Sequence, residues 1–127
     1  SMVIAKDFDW YCMLADASGL PAVERALAEM PETARITLRL AVPQPDRRTL
    51  GRQAQVDLQW VDSLTQAAED LALPQGRGFI WAAGEHHEMT ALRKVLVAKG
   101  ASPKQMRISA YWKQGQAGHH EELAEKE

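Results

Sequence analysis

Residues 78–100 read GFIWAAGEHHEMTALRKVLVAKG and join an almost wholly apolar run to an amphipathic one. The apolar run, which belongs to a predicted strand at residues 76–84, is typical of a central strand covered on both faces. From Glu85 to Lys99 apolar residues recur at helical spacing, and Gly100 stands where a glycine caps the end of a helix. Because a buried strand passes directly into a helix, this stretch predicts one β–α unit of a mainly parallel sheet.

The remaining apolar stretches extend this unit in both directions along the chain. Four more strands are predicted from continuous or alternating apolar residues, at residues 8–15, 34–42, 54–62 and 107–113. Two more helices are predicted from an amphipathic face followed by a proline, at residues 21–30 and 63–73. The order β-α-β-β-α-β-α-β predicts a three-layer α/β sandwich with a five-stranded, mainly parallel sheet.

Two loops of this predicted fold are the candidates for a binding site. Ligands of open parallel sheets bind beyond the carboxyl ends of the strands, near the point where the strand order reverses. The loops after the first and fourth strands, residues 15–21 and 83–87, are therefore the first to consider. The polar, Pro-rich link at residues 43–53 predicts a loop with no helix, and the strand that follows it is expected at an edge of the sheet.

Bulk composition limits the class of protein. The chain has 127 residues with a formal net charge of -2, 46% hydrophobic and 25% charged residues, as in one ordinary globular domain. Nothing in this charge favours nucleic acid or an anionic membrane as partner. Apolar runs stay below the roughly 18 residues that a membrane span needs. With one cysteine, Cys12, and no signal-peptide pattern at the N-terminus, the expected compartment is the cytoplasm.

The domain is expected to comprise residues 1–127, with residues 1–6 and 116–127 flexible. The polar tail is interpreted as frayed or as a loosely docked helix. Three tryptophans, Trp10, Trp60 and Trp81, are interpreted as core residues.

The adjacent His86 and His87 raise the question of a metal site. Neighbouring residues on a helix diverge by about 100 degrees, whereas a helical zinc pair needs a spacing of four. His119 and His120 repeat the same unsuitable spacing. No metal site is therefore expected. A turn at Gly84 at the start of a helix instead suits a phosphate or ribose. Compensation of the helix dipole by an acidic residue explains Glu85 equally well.

Three segments together resemble the C-terminal domain of the siderophore-interacting protein family. They are DASGLPAVERALAEMP at residues 16–31, the quoted stretch at 78–100, and ISAYWKQG at 108–115. The family's usual forms are GDETALPA-I, W-x-AGE before a helix, and YW followed by a basic residue. The resemblance covers nearly the whole chain in order and spacing. It implies the pyridine-nucleotide-binding domain of a ferredoxin–NADP reductase-like protein.

The resemblance also implies an activity. Such proteins reduce ferric siderophores in the cytoplasm: a hydride passes from NADPH or NADH to FAD, then single electrons reach the chelated ferric ion, and ferrous iron is released. No part of this chain resembles the FAD-binding barrel, so FAD would be held mainly by another domain. This chain alone is then expected to be inactive, and no catalytic acid, base or nucleophile is assigned.

The family's cofactor-binding positions fall on three parts of this sequence. Asp16 matches the family's aspartate, while Ala17, Ser18 and Gly19 stand where Glu, Thr and Ala are usual. The AGE turn is matched in full by Ala83, Gly84 and Glu85. The terminal YW is matched by Tyr111 and Trp112, which are expected near flavin and nicotinamide. Ser18 could instead cap the following helix, and packing in the core is the commoner role for a tryptophan at the position of Trp112.

The loop after the second strand bears on cofactor preference. It carries Arg47, Arg48 and Arg52 with a single acidic residue, Asp46. Arginine suits bidentate contact with a phosphate, which favours NADPH over NADH, although solvated loop arginines are commoner.

One rival function stays open at this stage: a stand-alone binding or interaction module on the same fold, without redox activity.

Overall fold

The computed structural model describes residues 7–51, 54–116 and 121–122. Within them six strands form one sheet in the order β3-β2-β1-β4-β5-β6. The strands are β1 Trp10–Asp16, β2 Ile36–Ala41, β3 Val56–Trp60, β4 Gly78–Glu85, β5 Met106–Trp112 and β6 Glu121–Glu122. The helices are α1 Leu20–Glu29, α2 Leu64–Asp70 and α3 His86–Ala98, and short 3₁₀ turns occupy Ala17–Gly19, Gln44–Asp46 and Pro103–Gln105.

The first five strands run parallel, and the strand order reverses between β1 and β4. The predicted α/β fold with five parallel strands is therefore confirmed, including the central position of β4 and the edge position of β3. The sixth strand was not predicted: Glu121 and Glu122 pair antiparallel with Ala110 and Ser109 of β5. A loosely docked helix or frayed tail was thus the wrong expectation for residues 121–122. Residues 1–6, 117–120 and 123–127 lie outside the described part.

Helices cover the sheet on both faces because each central strand is apolar on both. One core cluster joins residues such as Leu14 and Ile108 to α2 and α3. The other joins residues such as Met13 and Leu38 to α1. Side chains alternate across a strand, so neighbours on β1 enter opposite clusters. No helix among the described residues is long and apolar enough to cross a membrane.

The link between β2 and β3 makes a parallel crossover without a helix. Within its described residues, 42–51 and 54–55, the link contains the short turn Gln44–Asp46, and Leu50 anchors it by packing in the α1-side core. Leu50 thus holds the link against the sheet face that a helix covers in most parallel crossovers. The link consequently lies beside the half-buried edge strand β3.

Two helix ends follow the predicted capping residues. The Ser63 hydroxyl accepts the Gln66 backbone N–H at 3.1 Å, at the start of α2. After α3, Gly100 adopts a φ of 102°, and the N–H of Ala101 donates to the Leu96 carbonyl at 3.0 Å. Glycine enters this left-handed region without steric cost, which explains its position there.

Cys12 is predicted to be unreactive in the folded protein. Burial raises the pKa of its thiol to about 12, although the charge of Arg39 opposes the rise. The nucleophile is the thiolate, so a disulfide reagent at pH 8 should label Cys12 only after denaturant unfolds the chain. Labelling in native buffer as fast as in denaturant would contradict the burial described here.

Candidate functional site

The loops after β1 and β4 touch at the point where the strand order reverses. A Cβ atom on Gly84 would lie 2.9 Å from Asp16 Oδ2 and 3.3 Å from Met89 Cε. A Cβ atom on Gly19 would lie only 3.2 Å from the Cβ of Ala83. Both glycines therefore allow the two loops to approach closely. The site residues predicted from these loops are brought together by the sheet.

Asp16 connects three elements at this point. Its Oδ1 accepts the Ser18 backbone N–H at 2.9 Å and also the Ser18 hydroxyl. Its Oδ2 accepts the indole N–H of Trp112 at 2.9 Å, from the end of β5. The capping acceptor of this turn is thus Asp16, and Ser18 is a donor to it. Ser18 does not cap α1, because the N-cap of that helix is Gly19 and the Ser18 hydroxyl donates to Asp16 instead.

Trp112 lies on the surface. Its side chain is 43% exposed, although its indole N–H is bonded to Asp16. Packing in the core was therefore the wrong interpretation of Trp112. Its neighbour Tyr111 points to the other face of the sheet, where its ring meets Trp81 edge-on at 6.4 Å between centroids. The flat indole face of Trp112 remains available to another ring system.

Glu85 is the N-cap of α3 and accepts three hydrogen bonds. Its donors are the backbone N–H of Glu88 at 3.0 Å, the backbone N–H of Gln114 at 3.3 Å, and Nδ1 of His87 at 2.8 Å. Burial alone would raise the pKa of Glu85, but hydrogen bonds from His87, Glu88 and Gln114 outweigh it and hold the pKa at about 2. Glu85 is consequently ionised, and it occupies the helix end at which a phosphate had been considered.

Glu88 adds a third carboxylate to this region. Its Oε2 accepts the backbone N–H of Leu64 at 3.1 Å, where α2 begins. Burial, together with the negative charges of Asp16 and Glu85, raises the pKa of Glu88. The end of the sheet between β1 and β4 is therefore acidic. Carboxylates accept from hydroxyl and amide groups and repel phosphates, so this end suits a ribose or a carboxamide.

The two adjacent histidines take different surroundings. Their rings meet edge-on at 5.2 Å between centroids, and the exposed His87 is bound to the Glu85 carboxylate. Among the described residues, no three His, Cys, Asp or Glu side chains form an arrangement that could hold a metal ion. His119 and His120 lie outside the described residues.

Arg47 and Arg48 lie at the other end of the same sheet edge and make different contacts. The Nε–H of Arg47 donates to the Val42 carbonyl at 2.9 Å, and its guanidinium lies over the Trp60 ring at 5.6 Å from the centroid. Arg48 is bonded through Nε and Nη2 to both carboxylate oxygens of Glu24 on α1. Arg52 lies outside the described residues. Arg47 is thus half-buried, whereas Arg48 is exposed to solvent and paired with Glu24.

Trp60 and Glu24 are the residues that sequence reasoning missed. Trp60 packs against the core on the α1 side as expected, but it is only half-buried and also lines a cavity of about 520 Å³ with Arg47. By contrast, Trp10 and Trp81 are buried as expected. The strand pattern of β3 placed Trp60 on the correct face, but no sequence signal indicated that this face is incompletely covered. Nothing in the local sequence indicated the pairing of Glu24 with Arg48.

The strand order and the reversal point together define a ferredoxin-reductase-like α/β domain. Comparison with known proteins identifies the group more narrowly. The model of the siderophore-interacting protein family matches residues 8–115. That match covers most of the chain, and the chain belongs to the siderophore-interacting protein family.

Individual relatives agree with this assignment. The chain is 30% identical over 128 residues to the ferric vibriobactin reductase ViuB of Vibrio cholerae. It is 26% identical over 120 residues to the NADPH-dependent ferric-chelate reductase of Escherichia coli. These alignments cover 90% and 88% of this chain but 47% of each relative, so the chain spans about half the length of the curated relatives that it matches.

Two solved structures support the same fold. The siderophore utilization protein from T. fusca superposes with a TM-score of 0.82 at 26% identity, over 91% of this chain and 49% of the other. The siderophore-interacting protein SipS from Aeromonas hydrophila gives 0.75 at 27% identity, over 84% and 52% of the two chains.

Replacing Gly84 by alanine should disturb Asp16 and Trp112 together. The added methyl would contact both Asp16 Oδ2 and Cγ, at 2.9 and 3.1 Å, and would displace the carboxylate from the indole. Overpacking of this kind costs about 1–3 kcal/mol of stability. We expect a lower melting temperature and a shifted indole N–H resonance of Trp112 in NMR spectra. Gly51→Ala is the control, because its Cβ would meet nothing within 4 Å. Equal effects of the two substitutions would contradict the contact.

Replacing Glu85 by glutamine should remove stability in a pH-dependent manner. The pKa of Glu85 is near 2 in the fold against an ordinary value of 4.5, so its ionised form stabilises the fold above pH 4.5. This contribution is lost as the pH falls from about 4.5 towards 2. Urea denaturation of wild type and Glu85→Gln should therefore differ most at pH 5–7 and converge near pH 2. The exposed Glu69→Gln serves as control, and a pH-independent difference for Glu85→Gln would contradict the assignment.

Proposed function

We propose that this chain is the pyridine-nucleotide-binding part of a flavin-dependent ferric-siderophore reductase, with NADPH as its nucleotide. Two relatives support the reaction class, since one is a ferric vibriobactin reductase and the other an NADPH-dependent ferric-chelate reductase. The observation that carries the proposal is the charge arrangement along the carboxyl edge of the sheet. Acidic groups lie at the reversal between β1 and β4, and arginines lie beyond β2 and β3.

NADPH has two chemically different ends that fit this arrangement. Its nicotinamide riboside offers hydroxyl and carboxamide donors, which the carboxylates of Asp16 and Glu85 would accept. Its 2′-phosphate is an anion that matches the guanidinium fork of an arginine at the link after β2. Neighbouring strands are ~4.8 Å apart, so β3 lies about 12 Å from the midpoint between β1 and β4. That separation suits an extended dinucleotide.

This orientation of NADPH along the carboxyl edge of the sheet assigns roles to the predicted site residues. Asp16 and Glu85 would hold the nicotinamide riboside, with Ser18 and the backbone at Gly19 and Gly84 beside it. Ala83 is fully buried and supports the contact with Gly19, so its side chain would not touch the cofactor. Tyr111, packed on Trp81, would support the position of Trp112.

FAD is assigned mainly to a partner domain, in the same chain or in another. Bound there, FAD would accept electrons from NADPH and pass them singly to the iron of a ferric siderophore. On this chain the exposed indole of Trp112, with its N–H tied to Asp16, offers a flat apolar face beside the nicotinamide position. Without the flavin the isolated chain would oxidise no NADPH. As part of the same proposal, we place the reaction in the cytoplasm.

A nucleotide titration distinguishes this function from a binding module without redox activity. Backbone NMR resonances of residues 16–19 and 84–85 should shift with both NADPH and NADH, and Arg47 should shift more with NADPH. Arg47→Ala should weaken NADPH binding by about tenfold, the loss expected for a charged hydrogen-bonded contact, and leave NADH binding nearly unchanged.

The matched control is Arg77→Ala. Arg77 also lies over an aromatic ring, that of Phe8 at 4.8 Å, but next to the start of β4 and therefore at the opposite edge of the sheet. This substitution removes the same charge and a similar stacking contact away from the site. Absence of shifts at residues 16–19 and 84–85 with millimolar NADPH would overturn the proposed function and favour the binding module.

A further inference from the structure

The two edges of the sheet differ in how they are covered. At one edge the short strand β6 pairs with Ser109 and Ala110 of β5. At the other edge β3 pairs with β2, and among the residues that the structure describes no strand pairs with its outer side. An edge strand usually carries a lysine, a proline or a bulge that prevents pairing with another chain. The 5 residues of β3, VDLQW, have none of these features.

The outward backbone groups of β3 belong to alternate residues. The N–H of Val61 donates to the Leu40 carbonyl at 2.9 Å. The carbonyl of Gln55 accepts the N–H of Ile36, also at 2.9 Å. Odd-numbered residues of this segment therefore bond to β2, and the even-numbered ones direct both N–H and C=O to the free edge. Those residues are Val56, Leu58 and Trp60.

The apolar side chains of β3 suit pairing with a second copy of the same strand. In an antiparallel pair with its two-fold axis at Leu58, each residue faces the one equally far beyond position 58 in the other copy. Val56 then faces Trp60 of the second copy, and Leu58 faces its own counterpart. These half-buried side chains lie on the α1 face of the sheet, so the pairing would extend the apolar layer across both copies.

The polar side chains on the other face of β3 favour the same register. Asp57 would face Gln59 of the second copy, and the amide of a glutamine donates to a carboxylate. Asp57 is paired with Arg39 at 3.3 Å, so its charge is already matched within the chain. An axis shifted to Trp60 would instead place Leu58 opposite Asp62. Both faces of the strand thus favour an axis at Leu58.

We propose that two copies of this chain associate through β3, paired antiparallel about Leu58, to form one continuous sheet. The contact lies in the plane of the sheet, whereas the cavity that Arg47 lines lies over one face of β3. The inference does not depend on the function proposed above. A strand of 5 residues buries little surface, so the association should be weak, with a Kd of about 10–100 μM.

Amide hydrogen exchange of the full chain tests the pairing directly. Exchange is carried out at ~5 μM or ~500 μM chain, quenched, and then measured for each residue by NMR. The amides of Asp57 and Gln59, which bond to β2, should exchange slowly at both concentrations. The amides of Val56, Leu58 and Trp60 should exchange about fivefold more slowly, or slower still, at the higher concentration, because only the second copy accepts from them.

Substitutions at Gln59 test the register, with Kd measured by sedimentation across a concentration series. Gln59→Asp would place a carboxylate opposite Asp57 of the second copy and should raise Kd about tenfold. Gln59→Lys would place an ammonium there and should lower Kd about threefold. Within one chain the two changes act in the opposite sense, because Gln59 lies beside Arg39 in the β2–β3 pairing. A change in folding stability therefore cannot produce the expected order.

The matched controls are Gln116→Asp and Gln116→Lys. Gln116 is exposed and lies beyond β5, at the other edge of the sheet. The same charge changes there should alter Kd by less than about twofold. The inference is overturned by a chain that stays monomeric at ~500 μM, by equal exchange of the Val56, Leu58 and Trp60 amides at both concentrations, or by equal effects at Gln59 and Gln116.

Discussion

The close approach of the loops after β1 and β4 is the constraint on which the site depends. Gly84 leaves no side chain between β4 and Asp16, so the Asp16 carboxylate can lie against the backbone there. From that position Asp16 bonds both to its own turn and to Trp112 at the end of β5. The absence of a Cβ atom at Gly84 therefore leaves room for this meeting of three segments. Pairing of Trp112 with Glu85 brings the end of β5 to this edge, and the bond to Asp16 then holds the indole there.

The close approach of these two loops also determines the electrostatics at the carboxyl edge of the sheet. Because Asp16, Glu85 and Glu88 lie near one another, burial and mutual repulsion raise the pKa of Glu88. The pKa of Glu85 is lowered instead, because several hydrogen-bond donors stabilise its ionised form. The backbone N–H of Glu88 is bonded to Glu85, and that of Ser18 to Asp16. Amide groups that would attract a phosphate in a glycine-rich loop are thus already bonded to carboxylates.

The fold was predictable from sequence because its signals are local. Apolar periodicity, the capping serine at position 63 and Gly100 each act within a few residues, and the structure follows them. The meeting of residues 16–19 with 84–85 was also predictable, since it follows from strand adjacency. The exposure of Trp60 and Trp112 was not predictable for one physical reason: alternation on a strand assigns a side chain to a face but does not say whether that face is covered. The bonds from Arg48 to Glu24 and from Trp112 to Asp16 join positions 24 and 96 residues apart, and only the folded sheet shows them.

Charge separation along the edge also bears on how a flavin domain would be used. An acidic reversal point binds a phosphate poorly, so under the proposed function a dinucleotide would be held mainly by its phosphorylated adenosine end. Its nicotinamide end would then be held by hydrogen bonds to carboxylates, next to the exposed face of Trp112. Because few contacts would hold the nicotinamide ring at this end, another ring that docks against Trp112 would displace it easily. Tight binding at one end and loose binding at the other would let a single domain retain its nucleotide while its reacting ring moves towards and away from a flavin.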